Sequence, residues 1–243
     1  MRIGVAQIRP GRGNIQANIN KHIHCIERAV SFAADMIVFP ELSLTSYEPG
    51  MAKELATTLE DDRFDVFQEL SDQHQIIIGT GAPVITKKGT TISMILFQPR
   101  QPRILYSKKY LHVSEEPFFA SGENFSTLTC KGADVALAIC YETSVPQHEK
   151  DAFKTGAKVY VGSVVKVTRI IDTGLSRLSE IARANSAMVL MANAVGLCED
   201  GESAGRSSVW NDQGILLDQL DDVHEGILVL DTTTARVSKE VFP

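Results

Sequence analysis

From Met1 to Pro40 the hydrophobic period of the chain changes twice, and this restricts it to folds in which strands and helices alternate. Met1-Arg2-Ile3-Gly4-Val5-Ala6-Gln7-Ile8 opens as a short apolar strand. Ile15, Ile19, Ile23, Ile26 and Val30 then recur at steps of three or four, which places them on one stripe of a helix with Asn14 as its N-cap. Met36 to Phe39 forms a second apolar run, stopped by Pro40, a residue without an N–H for a neighbouring strand. The reading is β, α, β.

The alternation continues. A helical pattern with Phe64, Phe67 and Leu70 precedes Ile76-Ile77-Ile78. Ile92 to Phe97, Arg103 to Tyr106, Thr127 to Cys130 and Val135 to Ile139 are separated by turns containing Gly or Pro, which predicts antiparallel hairpins and a mixed sheet. From Val145 the spacing predicts a helix to about Thr155, a strand at Lys158 to Val161, a helix from Leu175 to Asn185 and a strand at Met188 to Ala192. Trp210 leads into the turn Asn211-Asp212-Gln213-Gly214, with strands at Ile215 to Leu217 and Gly226 to Leu230 beyond it. About ten strands by this pattern favour two sheets over one. With 44% hydrophobic residues and no linker or repeat, residues 1–243 read as one α/β domain.

Charge and cysteine usage narrow the function classes. The 30 acidic and 24 basic side chains give a net charge of −6, and no basic cluster stands out, which argues against a nucleic-acid partner and for a small molecule. The first apolar run is too short for a secretory signal or a membrane span, and no later run reaches spanning length. Cys25, Cys130, Cys140 and Cys198 form no CxxC pair, and the six histidines are scattered, so neither a disulfide framework nor a metal site is expected. A cytoplasmic protein without a membrane partner is the expectation.

Two reactive residues stand just past apolar strands, where the ligands of α/β sheets bind. Glu41 follows Ile37-Val38-Phe39-Pro40, and Cys140 follows Val135-Ala136-Leu137-Ala138-Ile139. Taken singly, a cysteine there is usually inert core and a glutamate a strand-end cap. Tyr106-Ser107-Lys108-Lys109-Tyr110-Leu111 adds a lysine pair beyond a third strand, by itself most often a solvated turn. Together the residue types suit attack on an amide. Glu41 serves as general base for the Cys140 thiol, while an ammonium and the N–H of Tyr141 stabilise the oxyanion.

Phe39-Pro40-Glu41-Leu42, Tyr106-Ser107-Lys108-Lys109-Tyr110-Leu111 and Ile139-Cys140-Tyr141-Glu142 resemble, in order and spacing, the signatures of the nitrilase superfamily of carbon–nitrogen hydrolases. Gly4-Val5-Ala6-Gln7, Met191-Ala192-Asn193-Ala194-Val195-Gly196 and Gly205-Arg206-Ser207-Ser208 extend the likeness over nearly the whole chain. The resemblance implies a four-layer α-β-β-α sandwich with two mixed sheets and a Glu41-Lys108-Cys140 triad. Lys108 is taken over Lys109 because the family's lysine lies two residues after the aromatic. Glu115 is the implied assisting glutamate, with Glu116 the one-residue alternative. The implied reaction is hydrolysis of a small amide to acid and ammonia through a cysteine thioester, without metal or organic cofactor, in a homodimer or larger homo-oligomer.

Departures from the family pattern fall beside these motifs. Glu142 stands where the family has aspartate and is taken to keep the acid role near the substrate. Ser144 replaces a frequent arginine, for which Lys166 and Arg169 are the alternatives as holders of a substrate carboxylate. Ala184 replaces a common glutamate without touching the triad. A nitrilase or an N-carbamoyl amide hydrolase with the same triad is the alternative enzyme. A catalytically silent small-molecule-binding or interaction protein is the alternative of another class.

Overall fold

Alternate side chains of the same strand enter different cores, and this period of two builds the layers of the computed structural model, which describes residues 1–123 and 127–242. In β1 (Arg2–Gln7), Ile3 and Val5 point into one core and Ala6 into another. In β2 (Met36–Val38), Met36 and Val38 separate from Ile37 in the same way. The first of these cores also receives Val135, Leu137 and Ile139 of β7 (Ala133–Ile139), Val159 and Val161 of β8 (Val159–Val164), and Leu190 and Ala192 of β9 (Met188–Asn193). It is therefore the layer between two sheets.

The first sheet has the order β15-β14-β1-β2-β3-β4-β5, with β3 at Ile77–Thr86, β4 at Gly89–Phe97, β5 at Ile104–Ser107, β14 at Glu225–Asp231 and β15 at Arg236–Phe242. The second has the order β13-β12-β9-β8-β7-β6, with β6 at Thr127–Cys130, β12 at Ser208–Trp210 and β13 at Leu216–Gln219. Both are mixed: β1, β2 and β3 are parallel, as are β7, β8 and β9, and antiparallel strands flank each set. A separate hairpin pairs β10 (Val195–Cys198) with β11 (Gly201–Ala204).

Helices cover the outer faces. Ile19 and Ile26 of α1 (Ile15–Ser31) and Phe67 of α3 (Asp65–His74) pack on the first sheet with Ile37, Ile78 and Phe97. The Asn14 side chain accepts from the Ala17 N–H, capping α1 as its spacing predicts. Leu178 and Ile181 of α5 (Ile171–Asn185) and Ala152 of α4 (Pro146–Ala152) pack on the second sheet, where Ala136 and Ala138 leave room for Tyr160. A short helix α2 (Ala52–Leu55) precedes α3. The four-layer α-β-β-α sandwich with two mixed sheets is thus present. No helix among the described residues is long and apolar enough to cross a membrane.

The chain holds more strands than the pattern of apolar runs predicts. β3 runs past Ile78 through Gly79, Gly81 and Pro83, residues that read as breakers. Pro83 is tolerated because β2 pairs with β3 only as far as Gly79, so no strand asks for its missing N–H. β10, β11 and β15 are short or charged and lack an apolar period. α5 starts at Ile171, before Gly174, and β8 continues to Val164. Leu137 fills the centre of the layer between the sheets and is 1% exposed. Its replacement by alanine is expected to cost about 2–5 kcal/mol, read as a lower urea midpoint with an unchanged slope.

Candidate active site

Glu41 is carried by a turn that two elements hold in place. Past β2, the Ser43 N–H donates to Pro40 O (3.1 Å), the Thr45 N–H to Leu42 O (3.0 Å) and the Leu44 N–H to Gly81 O (2.9 Å). A side chain at Gly81 would fall on the Leu42 nitrogen and the Pro40 oxygen, so only glycine lets β3 lie against this turn. From α1, the His22 Nδ1–H donates to the Asn18 carbonyl (2.7 Å), which leaves Nε2 to accept from the Ser43 hydroxyl (2.9 Å). The same hydroxyl accepts from the Gly81 N–H (3.1 Å). Burial pushes His22 down to about 3, so the ring stays neutral in this chain.

Lys108 follows β5, with its N–H on Ile92 O (2.8 Å) and its carbonyl accepting from Gly122 N (2.8 Å). Its side chain is fully buried, and Nζ donates to Glu41 Oε1 and to Glu115 Oε1, both at 2.7 Å. Glu115 is held in turn by the Tyr47 hydroxyl on Oε1 (3.0 Å) and the His112 N–H on Oε2 (2.8 Å). Lys109 and Glu116, the neighbours that compete for these roles on paper, are exposed.

One ammonium thus stands between two carboxylates. Burial depresses a lysine, but Glu41, Cys140 and Glu115 outweigh it and hold Lys108 above its ordinary value. Glu41 loses more. Burial, with the Glu115 charge adding to it, pushes its carboxyl up to about 7 against the pull of Lys108.

Cys140 sits at the junction of β7 and a 3-10 turn, Cys140–Ser144, in the left-handed region at φ 43°. A non-glycine residue there is strained, and the strain turns the side chain out of the strand direction. Glu142 holds this junction. Its Oε2 accepts from the Ile139 N–H (2.9 Å), half of a capping box, and its Oε1 from the Lys109 N–H (2.8 Å). The Tyr106 hydroxyl lies 2.9 Å from the same Oε2 and 2.9 Å from Leu137 O. Glu142 is fully buried and spans the Lys108 and Cys140 loops, instead of facing a substrate as the sequence suggests.

The thiol donates to Val165 O (Sγ to O 3.4 Å), and the Glu41 carboxylate lies near enough for its charge to act on it. Burial and then the Glu41 charge push it up to about 12, although Lys166 and Lys108 pull it down. At rest Cys140 is a thiol beside a carboxylate of near-neutral proton affinity. The N–H of Tyr141 lies in the first turn after Cys140, where helical backbone leaves its donors free.

A cavity of about 640 Å3 opens onto Cys140 and is lined by Tyr47, His112, Tyr141, Lys166 and Arg169 among others. Lys166 is buried in its wall. Arg169 is exposed and donates to the Asp200 carbonyl (2.9 Å). Tyr141 is half-exposed at the rim, its ring edge-on to His112. Sequence reasoning missed Tyr47 and His22. Tyr47 stands in no strand or helix, and His22 looks like any histidine of an amphipathic helix, so neither left a periodic signal. Among the described residues no group of three or more His, Cys, Asp or Glu is arranged to hold a metal ion.

The model of the carbon-nitrogen hydrolase family matches residues 2–239. An (R)-stereoselective amidase from Pseudomonas sp is 23% identical over 202 residues, 83% of this chain and 73% of the relative. A 2-oxoglutaramate amidase from Bacillus subtilis is 26% identical over 211 residues, 84% of this chain and 80% of the relative. Among solved structures, a mutant of the amidase from Nesterenkonia sp. AN1 that shows Michael addition of acrylamide at its active-site cysteine superposes with a TM-score of 0.82. It shares 21% identity, covering 95% of this chain and 92% of that one. With the family match spanning all but the ends of the sequence, the chain belongs to the carbon-nitrogen hydrolase family.

Proposed function

We propose that the protein is an amidase that hydrolyses the C–N bond of a small amide through a thioester on Cys140. The observation that carries this reading is the buried cluster of Glu41, Lys108 and Glu115 beside a strained cysteine at the floor of a cavity. The amidases among its relatives support it.

In the first half-reaction Glu41 takes the thiol proton as the sulfur attacks the amide carbon. The anion that develops on the carbonyl oxygen is met by the Lys108 ammonium and the Tyr141 N–H, each worth about 3–4 kcal/mol in such a position. Protonated Glu41 returns the proton to the departing nitrogen, and ammonia leaves. In the second half-reaction the same carboxylate draws a proton from water, which attacks the thioester and frees the acid and the thiol. The raised proton affinity of Glu41 suits both directions of transfer, because a group near neutrality gives and takes a proton with little cost. Glu115 and Tyr47 hold Lys108 in place without touching the reacting atoms.

Mass spectrometry of the enzyme mixed with a slowly turned-over amide is expected to show an acyl adduct on Cys140. Ammonia release should vanish in Cys140→Ala, and a nitrile or a ureido acid as the preferred substrate would move the assignment to another branch of the family. Because Glu41 must be ionised to act as base, kcat/KM is expected to be full above its value of about 7 and to fall about tenfold per pH unit below it. In Glu41→Gln the activity should drop by at least about 100-fold and that acid limb should disappear.

A further inference from the structure

Lys166 is a buried cation of the site, 5% exposed, whose Nζ has no hydrogen-bond or ion-pair partner among the described residues. Lys108 holds two carboxylates. Arg177, on the same cavity wall, is paired with Glu149 and donates to Thr143 O (3.2 Å), and Arg169 lies out at the mouth. The Lys166 stem is buried while Nζ keeps contact with the cavity space, so an anion that enters the cavity meets an unpartnered ammonium.

The fold also holds this lysine where it stands. The Asn193 side chain grips its backbone from both sides, with Oδ1 accepting from Lys166 N (2.8 Å) and Nδ2 donating to Lys166 O (3.2 Å), while the Ala204 N–H adds a bond to the same carbonyl (2.9 Å). Gly174 of α5 leaves a groove for the stem. A Cβ at that position would lie 2.5 Å from Lys166 Cδ, 2.8 Å from Cε and 3.4 Å from Nζ. Gly174, Lys166 and Cys140 line one cavity, and the Lys166 charge acts on the Cys140 thiol more strongly than that of Lys108.

We infer that Lys166 selects the substrate: it receives a carboxylate that the amide carries away from its scissile bond, so the preferred substrates are carboxylate-bearing amides and not neutral ones. The inference rests on the amidase reading above. Under that reading the oxyanion has its own donors in Lys108 and Tyr141, which leaves the Lys166 charge for a second anion. A neutral amide would enter the cavity and leave the ammonium unpaired, whereas a carboxylate completes it with a charge-assisted hydrogen bond.

The test compares kcat/KM for butyramide, succinamate and N-carbamoyl-β-alanine in the wild type, Lys166→Met and Gly174→Ala. The second substrate carries its carboxylate on the acyl side and the third on the amine side, so the pair also says which part of the substrate faces Lys166. The wild type is expected to favour one of the two anionic substrates over butyramide by at least about tenfold, the effect of one charged hydrogen bond. That preference should shrink by at least about tenfold in Lys166→Met, mainly through KM. Gly174→Ala, which keeps the charge but pushes the stem aside, should shrink it too and guards against a misfolded Lys166→Met. A wild type that favours butyramide, or a preference that survives Lys166→Met, overturns the inference while leaving the amidase reading intact. Calorimetric titration of succinate into Cys140→Ala supplies a readout without turnover. Binding that is lost on adding Lys166→Met supports the anion site, and no binding overturns it. Failure of the amidase reading itself shows separately, as no ammonia from any of the three compounds, or as a preference for the ureido acid N-carbamoyl-β-alanine, which moves the enzyme to another branch while leaving the anion site at Lys166 standing.

Discussion

The site depends on a single buried positive charge shared by two negative ones. With Lys108 between Glu41 and Glu115, the cluster carries one carboxylate more than it can neutralise, and burial above all, with the Glu115 charge added, gives Glu41 its near-neutral proton affinity. Removing the ammonium would leave two acids facing each other away from water. Removing Glu115 would give Lys108 wholly to Glu41 and draw that carboxyl back toward an ordinary acid. The same three groups therefore set the charge, the geometry and the proton affinity at the thiol, and none of the three is separable from the others.

Around this cluster the fold supplies rigidity from unexpected places. His22 acts on Glu41 only through Ser43 and Gly81, as a neutral ring whose single donor is used up inside its own helix. Glu142 fastens the loop after β5 to the junction after β7 with backbone N–H groups as its partners. An acid at that position reads on paper as a group for the substrate, but its oxygens are turned to the protein.

What could be read from residues alone follows the physics of period and position. Glu41 and Cys140 were legible because each ends an apolar run, and strand ends are where α/β sheets place their chemistry. Lys108 was not distinguishable from Lys109 by composition; only the spacing of the surrounding motif separated them, and burial of the one with exposure of the other is a tertiary fact. The inner layers were legible from alternating Ile, Val and Leu. β15 was not, because an exposed edge strand such as Arg236-Val237-Ser238-Lys239-Glu240 carries charge that breaks the alternation and discourages pairing with other chains. Tyr47 and the vacancy opposite Gly174 belong to contacts between distant segments, for which a linear pattern holds no signal.

The Ser163 hydroxyl, at the end of β8, donates to the carbonyl of Phe39, just before the Glu41 turn, across 2.8 Å of buried space. Glu41 and Lys108 hang from one sheet, whereas Cys140 and Lys166 hang from the other. The Cys140 thiol and the carboxylate beside it are thus mounted on separate plates, joined by an apolar filling and bridges of this kind. Methyl groups such as those of Leu137 and Val161 act as the spacers of that mounting. A slip of one plate over the other, too small to unfold anything, would alter the distance that a proton has to cross in the proposed mechanism, so under that mechanism the greasy middle of the protein is a part of its chemical apparatus.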